Sequence, residues 1–350
     1  MHSPHPWLIA LTLSTLFALP ASGQERAESP PVDSPTGKVS GGKMSTHPAW
    51  FKESFLDITE DVDEAAASDK HVILFLEMNG CPYCYKMLEE NFKDAAYSDF
   101  IQEKFDVIAL NVYGDREVAF DAETALTEKA LAKQLGVSYT PTLIFLNQAK
   151  DPVARINGYR NPQDFKAVLD YVAAKAYETQ TLAAFLETRK TQPSYSFRDH
   201  PQFQDIDDLS SVTDKPLAIL FEDAACVACD DLHDGHLGDP SVNAALEKFV
   251  VVRLDDQSDK PITAPDGTKT TPKQLAETLG ISYEPTLVLY DKGEQILRIE
   301  SMLYRYHFLG LLEYVGERHY EEYPNDPFDY INAKTAKLTS QGKDVSISDE

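Results

Sequence analysis

The sequence contains one pattern twice, with an offset of 145 residues between the cysteine pairs of the two copies. Each copy holds one Cys-x-x-Cys pair, Cys81/Cys84 in the first and Cys226/Cys229 in the second, and these are all four cysteines of the chain. A second stretch reads LGVSYTPTL in the first copy and LGISYEPTL in the second, so seven of its nine positions are identical. Self-similarity at a fixed spacing indicates a repeated structural unit. The chain is therefore predicted to contain two copies of one domain, formed by tandem duplication.

The hydrophobic pattern of the first copy predicts alternating helices and strands. The predicted elements are a helix at 58–67, a strand at 72–76, a helix opened by the cysteine pair, a strand at 107–112, a helix ended by Gly136, a strand at 142–146 and a helix at 165–173. The strand–helix–strand part implies a right-handed crossover and a parallel strand pair, and a hairpin then adds an antiparallel strand. The predicted fold class is α/β, with two tandem domains that each have a central mixed sheet flanked by helices.

The 350 residues divide into five predicted segments. Residues 1–23 are predicted to be a signal peptide, since an uncharged apolar run at 7–19 is followed by small residues at 21–23. The run is too short to span a bilayer as a helix, and no later stretch is long and apolar enough to do so. We therefore expect a periplasmic or secreted protein with no membrane span after processing. The other predicted segments are a flexible tether at 24–48, domain 1 at 49–190, domain 2 at 191–337 and a polar, fraying tail at 338–350.

Acidic residues far outnumber basic ones. The 57 Asp and Glu residues against 32 Lys and Arg residues leave a formal net charge of −25. A surface of that sign repels phosphate backbones and anionic lipid headgroups, which argues against a nucleic-acid or membrane-surface partner.

The place of each cysteine pair, after a strand and at the start of a helix, suits redox chemistry. Backbone N–H groups and the positive end of the helix dipole favour a thiolate at Cys81, and Cys84 lies three residues on, within reach for a disulfide. Cys81 can then attack a substrate disulfide, and Cys84 can resolve the mixed disulfide. Pro141 is well placed for a cis peptide bond. Such a bond would present the Thr140 backbone to a substrate strand beside the sulfur and keep metal away from the cysteines.

A strand, a Cys-x-x-Cys helix and a downstream Gly-Val-x-x-x-Pro-Thr turn together resemble the thioredoxin superfamily, and the resemblance covers both repeats. The first motif, CPYC, has the dipeptide familiar from glutaredoxins, and Gly158-Tyr159 after Arg155 is similar to the exported SoxW-type thioredoxins. The second motif, CVAC, resembles that of the carboxy-terminal domain of DsbD. Two departures from the family are Gly or Ala in place of the tryptophan before the first cysteine, and Phe75 or Leu220 in place of a buried aspartate.

The resemblance implies a thiol–disulfide oxidoreductase, and specifically a reductase that acts on periplasmic protein disulfides or on thiols that carry sulfur compounds. The implied site residues are Cys81, Cys84, Cys226 and Cys229 as catalytic groups, Thr140, Pro141, Glu284 and Pro285 in substrate binding, and Glu77 and Glu222 in proton transfer. The cysteines carry the electrons, so no cofactor and no metal is expected. The implied electron donor is a membrane-embedded thiol carrier. The competing interpretation is a peptide-binding or chaperone-like module with little redox turnover.

The two sites differ in the charge of their neighbours in sequence. Around Cys81, Glu77 and Lys86 nearly balance. The neighbours of Cys226 are all acidic: Glu222, Asp223, Asp230, Asp231 and, before the second proline, Glu284. Negative charge near a thiol disfavours its thiolate, so Cys81 is predicted to be the more nucleophilic cysteine and the first repeat the principal catalyst. Alternatively, the acidic rim of the second repeat selects basic partners.

Simpler interpretations stay open for several of these residues. The Cys81/Cys84 pair could be a structural disulfide or one half of a zinc site, although the long gap to the next pair does not fit a zinc ribbon. His233 and His236 continue the helical face of the second pair, which suits either a metal site or ordinary packing and solvent exposure. Glu77 and Glu222 are more simply interpreted as partly exposed strand ends. Packing of the last helices on the sheet, or of one domain on the other, explains an aromatic group near the C-terminus: Tyr304, Tyr306, Tyr314, Tyr320, Tyr323 and Phe328.

Overall fold

The computed structural model describes residues 36–120, 125–190, 195–226, 228–324 and 326–348. The predicted signal peptide and the part of the tether before residue 36 lie outside these ranges. From residue 36 onward the chain forms one compact unit that contains both repeats.

The first repeat has the predicted order of elements. The strands before residue 190 are β1 (Val39–Ser40), β2 (His71–Glu77), β3 (Phe105–Asn111), β4 (Glu117–Ala119), β5 (Ala125–Thr127), β6 (Thr142–Leu146) and β7 (Pro152–Asn157). The helices are α1 (Ile58–Ala67), α2 (Pro82–Met87), α3 (Ser98–Lys104), α4 (Glu128–Gln134), α5 (Pro162–Ala173) and α6 (Leu182–Glu187). The main sheet has the order β3-β2-β6-β7, with β2 parallel to β3 and the other pairs antiparallel. The fold class predicted for this half is confirmed.

The second repeat has the same architecture. Its strands are β8 (Leu217–Glu222), β9 (Val250–Asp255), β10 (Ile262–Thr263), β11 (Lys269–Thr270), β12 (Thr286–Asp291) and β13 (Glu294–Ile299), followed by β14 (Val345–Ser346) in the tail. Its helices are α7 (Cys229–Asp231), α8 (Pro240–Leu246), α9 (Pro272–Leu279), α10 (Arg305–Gly316) and α11 (Pro327–Ser340). The sheet order β9-β8-β12-β13 repeats that of the first half, again with one parallel and two antiparallel pairs.

Short-range signals explain where several elements begin. Helix α1 has the predicted bounds because Asp57 caps it, accepting a hydrogen bond from the N–H of Glu60 at 3.0 Å. Helix α5 begins earlier than predicted, since Asn161 caps it and Pro162 occupies its first position. In both repeats the helix after the cysteines passes into a π-helical turn, at 88–93 and at 232–236. These turns were not predicted.

Successive side chains along each central strand point to opposite faces of the sheet, and this divides the apolar core into separate clusters. In β2, Ile73 and Phe75 point into an apolar cluster that continues into the second repeat. Leu74 and Leu76 point to the other face, into a cluster confined to the first repeat. Strand β12 divides its side chains in the same way. The two repeats therefore share one continuous apolar cluster rather than packing as separate globules.

The two ends of the described chain pair with each other. Strands β1 and β14 are parallel, with Val39 opposite Val345 and Ser40 opposite Ser346. The N–H of Lys38 also donates to Asp344 Oδ1 at 2.7 Å. A flexible tether and a fraying tail were expected here from composition. Composition does not detect this pairing, because it consists of backbone hydrogen bonds between residues far apart in sequence: the N–H of Val345 donates to the Lys38 carbonyl at 2.8 Å, and the N–H of Ile347 donates to the Ser40 carbonyl at 2.9 Å.

Among the described residues, no helix combines the length and the apolar character needed to cross a membrane.

Candidate active sites

The first cysteine pair lies at the junction of β2 and α2. Cys81 caps α2, and its Sγ accepts a hydrogen bond from the N–H of Cys84 at 3.0 Å. Pro82 occupies the first helical position, where its missing N–H costs nothing. The pair forms a disulfide with a Cα–Cα distance of 5.3 Å. When the pair is reduced, the same N–H and the helix dipole stabilise a thiolate at Cys81.

The predicted proline loop lies directly beside this disulfide. The Thr140–Pro141 peptide bond is cis, as predicted. The Sγ of Cys81 is 3.5 Å from both the carbonyl oxygen and the hydroxyl of Thr140. The Thr142 hydroxyl donates to the Tyr139 carbonyl at 2.7 Å, which holds the loop at the start of β6. The sequence placed Thr140 and Pro141 correctly next to the sulfur.

The second repeat contacts the residue between the two cysteines of the first site. Cys81 is only 2% exposed. The ring of Tyr83, between the two cysteines, stacks on Tyr304 at 4.9 Å, and its hydroxyl accepts a hydrogen bond from the Tyr304 N–H at 2.8 Å. The hydroxyl also lies 2.9 Å from Nδ1 of His307. Part of the predicted aromatic group thus packs one domain on the other, at the face where a substrate would meet the sulfur.

The proline loop of the first repeat is covered in the same way. The Tyr139 hydroxyl donates to the Arg298 carbonyl of β13. The Ser301 hydroxyl donates to the Tyr159 carbonyl at 3.2 Å, beside Gly158. A Cβ on Gly158 would come within 2.5 Å of the Ser301 side chain, so this close approach requires glycine. Residues of the second repeat therefore contact the proline loop beside the first disulfide.

Glu77 lies at the end of β2, but its carboxylate faces the segment that precedes the first repeat. Its side chain is 16% exposed, and Oε1 is 2.5 Å from Nε2 of His47. This fits the alternative prediction of a partly exposed strand end.

The second cysteine pair has a different local geometry. Cys226 and Cys229 form a disulfide with a Cα–Cα distance of 5.5 Å, and the Glu284–Pro285 bond is cis. Helix α7 begins only at Cys229, so Cys226 lies before the helix instead of capping it. The two cysteines pack in a small buried cluster with Tyr195. The prediction that each pair opens its helix in the same way is wrong for the second repeat.

Glu222 is fully buried, which corrects the expectation of a partly exposed strand end. Its two carboxylate oxygens each accept from the Tyr195 hydroxyl at 3.3 Å, and Oε1 lies 2.8 Å from Nε2 of His233. Burial and the neighbouring Glu222 raise the pKa of Tyr195 to about 12. His236 is also buried, with Nε2 2.6 Å from the Leu303 carbonyl. Packing therefore explains both His233 and His236. Neither side chain is exposed to solvent, so the exposure that was also expected for them is wrong.

Three carboxylates meet one ammonium beside the second site. Oxygen atoms of Asp223, Asp256 and Glu284 lie within 4.8 Å of one another, a set that could hold a cation. Lys190 supplies the cation instead, since its Nζ pairs with Asp223 and lies 3.3 Å from Glu284 Oε2. Burial, opposed by Lys190, raises the pKa of Glu284. Burial would lower the pKa of Lys190, but Glu284 and Asp223 outweigh it and hold that pKa above its ordinary value.

Sequence reasoning missed three residues of the second site, all from the segment that joins the repeats. Lys190 neutralises the carboxylates, Tyr195 packs on the disulfide, and Arg198 pairs with Asp234 at 2.6 Å and Asp230 at 3.3 Å. The only signal in the sequence was the presence of cations just before an acidic motif. The surroundings of Cys226 in the structure are therefore less negative than its neighbours in sequence indicate, because Lys190 and Arg198 pair with the acidic residues.

A family comparison agrees with the fold, and several solved structures are similar to parts of the chain. A family model described as a thioredoxin-like domain matches residues 58–173 and 204–316. A thioredoxin-fold protein from Helicobacter pylori is 23% identical, with 35% of this chain and 80% of that chain covered and a TM-score of 0.31. A thioredoxin from Thermus thermophilus is 25% identical over 34% of this chain and 85% of that chain, with a TM-score of 0.27. The DsbD C-terminal domain of Neisseria meningitidis is 17% identical over 31% of this chain and 85% of that chain, with a TM-score of 0.24. No curated protein sequence matches the chain.

Proposed function

The chain belongs to the thioredoxin-like domain family, and from this premise we propose that it is an exported thiol–disulfide reductase. It is a thiol–disulfide oxidoreductase with two Cys-x-x-Cys pairs at disulfide distance. The observation that supports chemistry at the first site is the position of Cys81, which caps a helix and lies 3.5 Å from the Thr140 carbonyl before a cis-proline.

The proposed reaction at the first site is a two-step exchange. In the reduced protein, the Cys81 thiolate attacks one sulfur of a substrate disulfide, and a substrate thiolate leaves and takes up a proton. Cys84 then loses its proton and attacks Cys81, which breaks the mixed disulfide and releases the second substrate thiol. Two electrons pass from the protein dithiol to the substrate, and the Cys81–Cys84 disulfide remains. Thr140 and Pro141 are proposed to align the substrate.

The second site is proposed to perform the same exchange through Cys226 and Cys229, with Glu284 and Pro285 beside the substrate. Glu222 is proposed as a proton-transfer group because it is a fully buried carboxylate that ends the strand leading to this motif. Glu77 is proposed in the same role at the first site. Its pairing with His47 means that this contact must open first.

The proposal also includes the location of the protein, its electron donor and its substrates. The apolar run at 7–19, followed by small residues, supports a periplasmic or secreted location. A reductase outside the cytoplasm needs electrons from a thiol carrier in the membrane, and its substrates are proposed to be protein disulfides or thiols that carry sulfur compounds. The strong negative charge supports protein or small-molecule partners over nucleic acid.

Reduction of insulin by dithiothreitol tests the proposal, with Cys81→Ser and Cys226→Ser as matched variants. We expect turnover by the wild-type chain that is lost with Cys81→Ser and partly retained with Cys226→Ser. The low exposure of Cys81, 2%, favours one competing function, a peptide-binding module whose disulfides are structural. Absence of turnover in the wild-type chain, together with suppression of insulin aggregation, would support that alternative.

A further inference from the structure

The second disulfide borders a cavity of about 670 Å³ between the repeats. On one side its walls are the cysteine motif and proline loop of the second repeat. On the other they are helix α5 of the first repeat and helix α6 of the connecting segment. The residues that line the cavity include Cys226, Asp256 and Glu284 on the first side and Val168, Leu186 and Lys190 on the other. The volume lies within the range of roughly 300–1,000 Å³ that small-molecule sites occupy.

A residue of the first repeat packs on the proline loop of the second repeat beside this cavity. The guanidinium of Arg160 stacks on the ring of Tyr283, in the proline loop, at 4.2 Å. Arg160 is itself buried and donates to the carbonyls of Asn157 and Tyr159 at 3.0 and 3.1 Å. The first repeat is thus tightly packed against the loop beside which a protein substrate of the second site would lie. A molecule small enough to enter the cavity can still approach Cys226.

The charges that line the cavity are of both signs and nearly balanced. The basic residues are Arg155, Arg160, Arg189, Lys190 and Lys273, and the acidic residues are Asp164, Glu187, Asp231, Asp256, Glu277 and Glu284. A ligand that carries both an ammonium and a carboxylate finds opposite charges in such a cavity. A ligand with charges of one sign only, or with no charge, gains less electrostatic binding energy from this lining.

We propose that the second site exchanges with low-molecular-weight disulfides of amino acids or short peptides, which enter this cavity as zwitterions. This inference deepens the proposed function and depends on redox activity of the second pair. The reduced Cys226 thiolate attacks one sulfur of the small disulfide, and one small thiolate leaves and takes up a proton. Cys229 then gives up its proton and displaces the second small thiol from Cys226. The small disulfide gains two electrons, and the Cys226–Cys229 disulfide forms; a dithiol reductant restores the pair.

The test uses the full chain with Cys81→Ser and Cys84→Ser, so that only the second pair reacts. The protein is reduced with dithiothreitol, freed of reductant and mixed with one disulfide at a time, and loss of free thiol is followed by alkylation and mass spectrometry. The probes that carry both ammonium and carboxylate groups, here called zwitterionic, are cystine, which is neutral overall, and oxidised glutathione, which is a net anion at neutral pH. The comparison probes are cystamine, which is cationic, dithiodiglycolate, which is anionic, and 2-hydroxyethyl disulfide, which is neutral. Each rate is divided by the rate of the same probe with free dithiothreitol, because the probes differ in intrinsic reactivity.

We expect normalised rates about tenfold higher for the zwitterionic probes, the value of one charge-assisted hydrogen bond. The matched control is the converse chain with Cys226→Ser and Cys229→Ser, whose first pair should show no such preference. Lys273→Glu should reduce the preference for zwitterions and Lys273→Arg should retain it, with circular dichroism to confirm folding. Equal normalised rates for all probes, or a faster reaction with insulin than with cystine, would overturn the inference alone. Failure of every disulfide to oxidise the pair would also overturn the proposed redox function of the second repeat.

Discussion

The backbone N–H of Tyr304 donates a 2.8 Å hydrogen bond to the hydroxyl of Tyr83, a residue that stands between the two cysteines of the first site. These residues are 221 positions apart, and their rings stack at 4.9 Å. The contact joins the active-site helix of one repeat to the start of a helix in the other. We therefore expect access to the first disulfide to depend on the packing between repeats.

Replacing Tyr304 with alanine should expose the first site. Ring stacking of this kind contributes about 0.5–1.5 kcal/mol beyond buried area. With the lost apolar contact included, the opening equilibrium should shift by one or two kcal/mol, a factor of roughly 5–30. The measurement is the rate at which iodoacetamide alkylates Cys81 in the reduced chain. The control is Tyr306→Ala on the same helix, whose hydroxyl contacts Thr335 instead of the site. An unchanged rate in Tyr304→Ala would show that the contact does not limit access.

The two first cysteines should differ in thiolate pKa. Cys81 caps a helix and accepts the Cys84 N–H, whereas Cys226 lies before its helix beside buried carboxylates. Ultraviolet thiolate absorbance against pH, on chains that retain one pair each, should give the lower pKa for Cys81. A lower pKa for Cys226 would contradict the prediction that the first repeat is the principal catalyst.

Lys190 should hold down the thiolate pKa of Cys226. Both residues line the same cavity, and removing the ammonium leaves the carboxylates Asp223 and Glu284 without their cation. Lys190→Gln should therefore raise the thiolate pKa of Cys226 and leave that of Cys81 unchanged, while Lys190→Arg should preserve both. Denaturant unfolding checks that Lys190→Gln still folds, because removing one partner of a buried ion pair is destabilising. Equal titration of Cys226 in all three chains would argue against this role.

Tyr195 should contribute to stability through its hydroxyl. Tyr195→Phe removes the hydroxyl that donates to both oxygens of the buried Glu222, and among the described residues it leaves the His233 contact to that carboxylate. The expected loss is about 1–3 kcal/mol in the free energy of unfolding, measured in urea. Tyr113→Phe is the matched control, because the Tyr113 hydroxyl is exposed and its removal should change the free energy by less than about 0.5 kcal/mol. A loss in Tyr195→Phe no larger than the control would refute this account.

His71 should make the protein less stable as the pH falls. It is buried, with Nε2 2.9 Å from the Tyr177 hydroxyl, and burial lowers its pKa from 6.5 to about 4. The unfolded chain therefore binds a proton near pH 6.5 that the folded chain does not bind until about pH 4. The stabilising contribution of neutral His71 is complete above pH 6.5 and is lost between these values, at up to about 1.4 kcal/mol per pH unit.

The measurement is the free energy of unfolding of the wild-type chain and of His71→Gln between pH 7.5 and 4.5. The difference between the two proteins should shrink steadily below pH 6.5, since glutamine does not titrate. Parallel curves over this range would show that His71 is not the titrating group.

Local features of the sequence determined the repeated architecture and the position of the reactive groups along the chain. Helix α1 lies at the predicted residues because its cap and its apolar period are set within one or two turns. The two cysteine pairs are read directly from the sequence, and Pro141 was expected to be cis because an X–Pro bond there precedes a predicted strand. These properties follow from short-range hydrogen bonding and steric limits on the backbone.

Only the tertiary structure decided which groups surround each sulfur pair. Tyr304 packs on Tyr83 between the first two cysteines, and Lys190 and Tyr195 complete the surroundings of Cys226 from well upstream in the sequence. The burial of Glu222 could not be predicted either, because its contact with Tyr195 comes from the segment between the repeats. Electrostatic and packing interactions depend on distance in space, and the shared apolar cluster brings together residues that lie more than two hundred positions apart. The sequence thus determined where electrons can be exchanged, and the packing of one repeat on the other determined what can approach.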